Sequence, residues 1–476
     1  MLFNSFQFLL FFLIVTPCYY LTPQAWRWLL LLLASCWFYA AFIPAYLLVL
    51  FAIILIDYTA GRLMEFASGR RRKALLAMSI AGNLGILVIF KYYNFFVDNV
   101  DQLLAGMGLH TRAIPFWHII LPIGLSFHTF QAMSYTLEVY KGRWRPEKHP
   151  GIYALYVMFY PQLVAGPIER PARLIPQFYQ RHPLDFDGLA LGLKKMLWGL
   201  FLKVVVADRL AIYVNYIHFR PELHSRIALI TAALFYSFQL YCDFAGYSLI
   251  AIGAARTMGF SLMENFRRPF FSASLREFWT RWHISLSSWF RDYLYFPLGG
   301  SRYGTGRTCL NISVVFLLSG LWHGANWTFV AWGLFHALIL VVETLIRRLE
   351  GGNPARRRRR WRIPGILYTF SVWTFSLILF RASSVQKAGT FIERLFAPGT
   401  PWIIPGDFDV RTTLIYSVFG IVCVLAADIG KEFGKGSALF MYHRKATVRI
   451  SAYVTLVVMI LLLGVFDGGQ FIYFQF

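Results

Sequence analysis

Apolar residues in this chain come in long runs rather than in the short alternations of a soluble fold. The runs occupy 6–21, 27–43, 44–58, 74–96, 115–140, 187–214, 225–258, 309–343, 364–382, 412–429 and 448–466. A helix that crosses a bilayer needs about 20 largely apolar residues. The pattern therefore predicts an all-α, polytopic integral membrane protein with about ten to twelve transmembrane helices. Two runs, 225–258 and 309–343, exceed one crossing and are expected to bend or double back. A shorter stretch, 151–166, carries Pro161 and Gly166 and reads as a re-entrant or broken segment, which is tolerated only where protein buries it. The first run has no basic residue before Arg27, so it reads as a retained helix and not as a cleavable signal.

Composition sharpens this picture. Only 14% of the residues are charged, against about 25% in ordinary soluble chains, too few to cover a water-facing surface. The 46 Lys and Arg against 23 Asp and Glu give a net charge of +23, which invites nucleic acid as a partner. The basic residues fall between apolar runs, however, so membrane topology accounts for them better and nucleic acid is not expected. Clusters occur at Arg70–Lys73, at Lys141, Arg143, Arg145 and Lys148, at Arg347–Arg362, and at Lys431, Lys435, Arg444 and Lys445. All can face the cytoplasm if both termini lie on the outer side and 309–343 returns to the side it left. One continuous membrane domain over 1–476 is expected, with peripheral helices in 1–100, a motif-bearing core in 115–345 and C-terminal helices in 364–476. The five cysteines are scattered without a CxxC pair, so neither zinc binding nor a disulfide framework is indicated.

Ionisable residues inside apolar runs are costly and so mark candidate sites. His323 lies in Ser319-Gly-Leu-Trp-His-Gly-Ala-Asn326, within the run 309–343. Glycines at 320 and 324 permit close backbone approach or a helix break. Burial keeps an imidazole neutral, the form that accepts a proton from a hydroxyl; the alternative is a hydrogen-bonded packing histidine. A second constellation, Ser274–Gly300, reads as one amphipathic interfacial helix with Arg276, Thr280, His283, Ser287 and Arg291 on one face. Its arginines suit phosphate groups; the alternative is a plain interfacial anchor. Asp243 sits in the run 225–258 and requires a basic partner, an arginine or a histidine, or a proton. A metal motif, a phosphate-binding Gly-Lys-Ser/Thr loop and a GxSxG elbow are all missing from the sequence. Inverted repeats, the mark of many transporters, are not seen either.

EFWTRWHISLSSWFRDYLYFPLGG at 277–300 and SGLWHGANWTFVAWGLFH at 319–336 resemble the membrane-bound O-acyltransferase family, in particular its bacterial branch typified by the alginate O-acetylation proteins. LPIGLSFHTFQAMSYTLEVY at 121–140, LVAGPIER at 163–170, QLYCDFAGYS at 239–248, MGFSLMENFRRPF at 258–270 and FIYFQF at 471–476 support the likeness. The branch often has Ser-Asp after the Gly-Tyr pair, where this chain has Ser248-Leu249, so no role carries over from that spot. The resemblance implies helices around a membrane-crossing tunnel, His323 as the catalytic histidine, and His283 as a second functional histidine.

It also implies a bacterial inner-membrane enzyme with no permanently bound cofactor. Acetyl-CoA would be the cytoplasmic donor, periplasmic acetyltransferase proteins the partners, and a secreted exopolysaccharide resembling alginate or cellulose the destination. On this reading His323 is the general base, and His283 hydrogen-bonds the reacting groups or stabilises the developing oxyanion. Arg276, Arg281 and Arg291 meet the donor's phosphates, while Asn326 orients His323 or satisfies backbone groups; Trp322, Ser287 and Asp243 are supporting residues. D-alanyl or other acyl transfer to a cell-envelope polymer is the alternative within the architecture, and transport the alternative outside it.

Overall fold

The computed structural model describes residues 1–109, 114–117, 120–349, 362–398, 408–434 and 440–466. Regular structure among them is helical. In chain order the α-helices are α1 Phe6–Leu21, α2 Gln24–Ala40, α3 Tyr46–Met64, α4 Gly69–Leu87, α5 Tyr93–Gly106, α6 Leu125–Tyr140, α7 Pro150–Met158, α8 Tyr160–Leu163, α9 Pro171–Tyr179 and α10 Phe186–Leu200. They continue with α11 Asp208–Phe219, α12 Arg226–Thr257, α13 Leu275–Arg281, α14 Ile284–Phe290, α15 Gly304–His323, α16 Trp327–Leu349, α17 Arg362–Arg381, α18 Val385–Phe396, α19 Phe408–Phe433 and α20 Ala446–Leu463. Seven stretches among the described residues are long and apolar enough to cross a membrane: α3, the continuous 69–106 segment, α12, α16, α17, the 412–433 part of α19, and α20. The chain is therefore a polytopic helical membrane protein. The most enclosed of these is α12, with 78% of its spanning window buried, whereas α20 buries 6% and turns Val454, Val457 and Leu461 outward, as a lipid-facing helix does.

Several expectations change. The run 115–140 becomes helical only at Leu125, after Gly124 in a left-handed conformation (φ 76°). The run 187–214 is interrupted by a π-helical stretch, Phe201–Ala207, and 225–258 stays one unbroken 32-residue helix instead of bending. The run 309–343 does double back: α15 and α16 meet at Gly324–Asn326, and the guanidinium of Arg348 near the end of α16 donates to Thr305 Oγ1 at the start of α15. The stretch 151–166 is broken as expected, at Phe159 between α7 and α8. The Arg356–Arg360 cluster, Lys435 and the 471–476 motif lie outside the described residues.

The chain forms two compact units, residues 1–192 with 254–263, and residues 193–253 with 264–476. In the first unit, α3, α4 and α6 are joined by a buried polar knot. Asp57 accepts from Ser79 Oγ (2.5 Å) and Asn83 Nδ2 (2.8 Å), and Ser79 also donates to Thr136 Oγ1 (3.0 Å). The second unit carries both candidate histidines. Its core packs α11, the π-helical stretch and α12 against Phe278, Trp282, Trp332, Trp373, Leu377 and their neighbours.

Candidate active site

Local hydrogen bonding breaks the 274–300 segment in two. Ser274 caps α13 by accepting from the Glu277 N–H (3.2 Å), and α13 ends at Arg281. Helix α14 has no side-chain cap of its own. Its first free N–H groups go instead to Asn265: Ile284 N–H donates to the Asn265 carbonyl (2.9 Å) and Ser285 N–H to Asn265 Oδ1 (3.2 Å). His283, at the junction, takes a left-handed backbone conformation (φ 43°, ψ 54°). Only Arg268 shares a positive φ among the described non-glycine residues. For a histidine this geometry costs about 1–2 kcal/mol, and such strain clusters at functional positions. The single interfacial helix expected here is thus incorrect, and with it the shared face of Arg276, Thr280, His283, Ser287 and Arg291. Periodicity cannot run through a residue at φ 43°.

The same amide fixes the proton on His283. A backbone N–H only donates, so the atom of Asn265 that accepts from Ser285 is its oxygen. That oxygen also accepts from Ser285 Oγ (2.9 Å) and from His283 Nδ1 (3.1 Å), while Asn265 Nδ2 donates to Ser248 Oγ (3.3 Å). His283 is 1% exposed, and burial pushes its pKa down to about 3, so the ring is neutral. With the hydrogen on Nδ1, the lone pair lies on Nε2. Such a ring accepts a hydrogen bond from a hydroxyl. It has no donor at Nε2, which removes the expected oxyanion-stabilising half of its role.

His323 is held by packing. It closes α15 and is 5% exposed, with the rings of Trp322, Trp332 and Phe380 at 5.0, 5.2 and 5.2 Å, each edge-on. The glycines make this packing achievable. A Cβ on Gly320 would collide with the Phe329 carbonyl, and one on Gly333 with the Phe316 carbonyl, so α15 and α16 touch backbone to backbone. A Cβ on Gly324 would strike the Phe329 ring. Trp322 adjoins both candidates, its ring 6.1 Å from that of His283 and 5.0 Å from that of His323. The side chain of Asn326 points elsewhere: Oδ1 accepts from Thr328 N–H (3.0 Å) and Nδ2 donates to the Ser383 carbonyl (3.0 Å).

Two of the arginines singled out in the sequence, Arg281 and Arg291, have carboxylate partners within the chain. Arg281 binds Glu277 (2.7 Å) and, with Arg268 and Arg362, encloses the carboxylate of Glu432 at 2.7–3.1 Å, which joins α13, α17 and α19 at one end of this unit. Arg291 pairs with Asp292 (2.9 Å), the backbone N–H of Arg276 donates to Glu343 (3.2 Å), and Ser287 Oγ donates to the Trp282 carbonyl (3.1 Å). A cavity of about 430 Å³ lies at the same end, and Asn265 is in its wall. Lys194, Lys195, Arg267, Arg268 and Lys431 line it, opposed by Glu264 and Asp428. These cations were missed because they belong to separate segments, 194–195, 267–268 and 431, that only the fold assembles.

Asp243 has its basic partner, but it is a lysine. Lys203 Nζ lies 2.8 Å from Asp243 Oδ1 and 2.8 Å from Asp208 Oδ1, all three nearly inaccessible. Lys203 sits in the π-helical stretch inside an apolar run, and that placement alone marks it as an ionisable residue in need of partners.

Comparison with known proteins agrees with this architecture. A model of the membrane-bound O-acyltransferase family matches residues 147–385, which contain both histidines. The chain is 40% identical to the probable alginate O-acetylase AlgI of Pseudomonas aeruginosa, over 84% of this chain and 76% of that protein. It is 34% identical to the peptidoglycan O-acetyltransferase of Helicobacter pylori (77% and 72%) and 29% identical to the teichoic acid D-alanyltransferase of Bacillus subtilis (55% and 69%). A helical membrane body with two buried histidines beside one tryptophan, matched over most of its length, belongs to the membrane-bound O-acyltransferase family, and the chain is an acyltransferase.

Proposed function

We propose that this protein moves acetyl groups from cytoplasmic acetyl-CoA across the inner membrane of a bacterium for O-acetylation of a secreted polysaccharide, with periplasmic proteins completing the delivery. Both termini face the periplasm. Higher identity to the alginate O-acetylase than to the D-alanyltransferase favours acetyl over D-alanyl.

The observation that carries the reading is the joint placement of the basic cavity and the two histidines. Arg362 and Lys431 mark the cavity end as cytoplasmic under the positive-inside rule. Five cations there suit the phosphates of a coenzyme A thioester. From the cavity wall, Asn265 holds His283, and Trp322 packs beside both His283 and His323. The acceptor's hydroxyl oxygen attacks the thioester carbonyl carbon while His323 takes the hydroxyl proton. Collapse of the tetrahedral intermediate breaks the C–S bond, and the proton passes from His323 to the departing thiolate. The products are the acetyl ester and free coenzyme A. The attacking hydroxyl's one proton goes to His323, so His283, with its lone pair on Nε2, accepts a hydrogen bond from a neighbouring hydroxyl of the acceptor and aims the acceptor.

Membrane vesicles test the donor and its side together. Inverted vesicles from cells making the polysaccharide should transfer label from external radiolabelled acetyl-CoA to their lumen, and right-side-out vesicles should not. Replacing Lys195 and Arg267 with glutamate should raise the KM for acetyl-CoA about tenfold or more. Equal labelling in both orientations, or an unchanged KM, contradicts the reading.

A further inference from the structure

Two segments of the second unit meet around His283, residues 264–268 and 274–285, and they are joined on both sides of it. On one side Asn265 takes the N–H groups of Ile284 and Ser285 and the Nδ1 of His283. On the other, Arg267 N–H donates to the Arg281 carbonyl (2.8 Å), and Arg281 Nη1 donates back to the Arg268 carbonyl (3.4 Å). Between these rungs the Phe266 ring lies 5.0 Å from that of Trp282 and 6.5 Å from that of His283. The two segments form the arms of a clasp. Each arm carries one of the two described non-glycine residues of positive φ, Arg268 (46°) and His283 (43°). Arg268 also precedes Pro269, where extended backbone is favoured. Backbone strain of this kind persists only where the surroundings over-determine it.

Glu432, on α19, closes the open end of the clasp. Its Oε2 accepts from Arg268 Nε (2.8 Å) and Arg281 Nη1 (3.1 Å), and its Oε1 from Arg281 Nη2 (3.2 Å) and Arg362 Nη2 (2.7 Å). These donors fill the lone pairs that a carboxylate offers. The carboxylate therefore spans both arms and takes the Arg281 guanidinium by its fork. Arg362 belongs to neither arm. The Glu432 side chain is 6% exposed, so water competes little for these bonds. Glu277 also binds Arg281 (2.7 Å), but from the same arm. Without Glu432, the guanidinium groups of Arg268 and Arg281 would face each other as like charges and repel.

We propose that Glu432 is a positioning residue for His283: it draws Arg268 and Arg281 together, keeps the two arms in register, and so holds the amide of Asn265 against the imidazole. The inference rests on the acetyl-transfer reading for what His283 does in the reaction. It goes beyond that reading by assigning the aim of the ring to a carboxylate on another helix. It also gives Arg281 a task within the fold in place of contact with the donor's phosphates. The arrangement has little slack. The bond from His283 Nδ1 to Asn265 is 3.1 Å long, and a hydrogen bond stretched to about 3.6 Å is lost. A slip of the arms by about half an ångström therefore frees the imidazole to exchange its tautomer.

The whole chain in lipid nanodiscs, isotope-labelled at the histidine nitrogens, shows by NMR which nitrogen of His283 carries the proton; His283→Gln identifies its resonances. The wild type should give the Nδ1–H form alone. Glu432→Gln should give a mixture of the two tautomers, and its single-turnover transfer at saturating acetyl-CoA should fall about tenfold to a hundredfold. Arg281→Lys keeps the charge and loses the fork. It should reproduce both changes, which separates the clasp from a folding defect peculiar to one variant. Arg362→Gln removes a bond from the same carboxylate without touching either arm, so it should leave the spectrum and the rate as in the wild type. Unchanged His283 resonances in both Glu432→Gln and Arg281→Lys overturn the inference. An equal change in Arg362→Gln also overturns it, because Glu432 would then only join helices. Failure of the acetyl-transfer reading appears separately, as normal transfer by His283→Gln, while the spectra still answer for Glu432.

Discussion

His323 and His283 are both buried histidines near Trp322, yet the chain holds them by different means. His323 is fixed by shape: two helices brought into backbone contact by Gly320 and Gly333, and a collar of three aromatic rings. His283 is fixed by hydrogen bonds and backbone geometry, through one amide 18 residues earlier in the chain and a left-handed φ. Packing sets where the ring of a base sits relative to the reacting groups. A locked hydrogen bond sets which nitrogen carries the proton, as an orienting acceptor requires. The difference in support thus matches the difference in proposed role.

The contrast can be broken from either side. The largest effect is expected at the helix crossing, where Gly320→Ala pushes a methyl into the Phe329 carbonyl, a backbone group that cannot rotate away. Thermal unfolding in detergent should show a loss of about 1–3 kcal/mol or more, together with lowered acetyl transfer. An unchanged melting temperature would mean that the glycines do not set the position of His323. Next comes Asn265→Ala, which removes the acceptor of two buried N–H donors and a hydroxyl. Each buried donor left unsatisfied costs about 1–3 kcal/mol, and misaiming the His283 ring should lower kcat about tenfold to a hundredfold. Melts and single-turnover transfer measure the two separately.

A smaller effect separates the ring from the strain. His283→Gly and His283→Ala both delete the imidazole, but only glycine accepts φ 43° without penalty. The glycine variant should be about 1–2 kcal/mol the more stable, with transfer equally reduced in both. The smallest effect at neutral pH is the one that appears only on acidification. His283 stays neutral in the folded protein down to about pH 3, whereas the unfolded chain takes up a proton below its ordinary pKa of 6.5. The unfolded state therefore binds more protons in that window, and stability falls as pH drops from 6.5 toward 3. This residue contributes at most about 1.4 kcal/mol per pH unit to the slope. His283→Gln should flatten the acid limb of melting temperature against pH, and an identical limb would mean that the histidine titrates normally in the fold.

The same contrast explains what the sequence makes legible. The setting of His323 is written nearly contiguously: its glycines, tryptophans and amide lie within 319–333, where the run 309–343 doubles back, and only Phe380 comes from elsewhere. The setting of His283 is not. Its break in the helix depends on Asn265 intercepting the N–H groups of α14, a long-range bond that helical periodicity ignores. The basic cavity is illegible for a similar reason, since its cations come from three separate segments. Asp243 is intermediate: a buried acid predicts a basic partner, but only the π-helical stretch brings Lys203 rather than an arginine or histidine to it.

The most direct test of the account is the acetyl content of the secreted glycan from cells whose only copy of this protein carries His323→Ala, at membrane levels matched to wild type. Loss of a general base predicts a fall of about 10²–10⁴-fold in transfer rate, seen as a glycan with almost no acetyl. Normal acetylation at normal abundance would make His323 a packing residue and contradict the account.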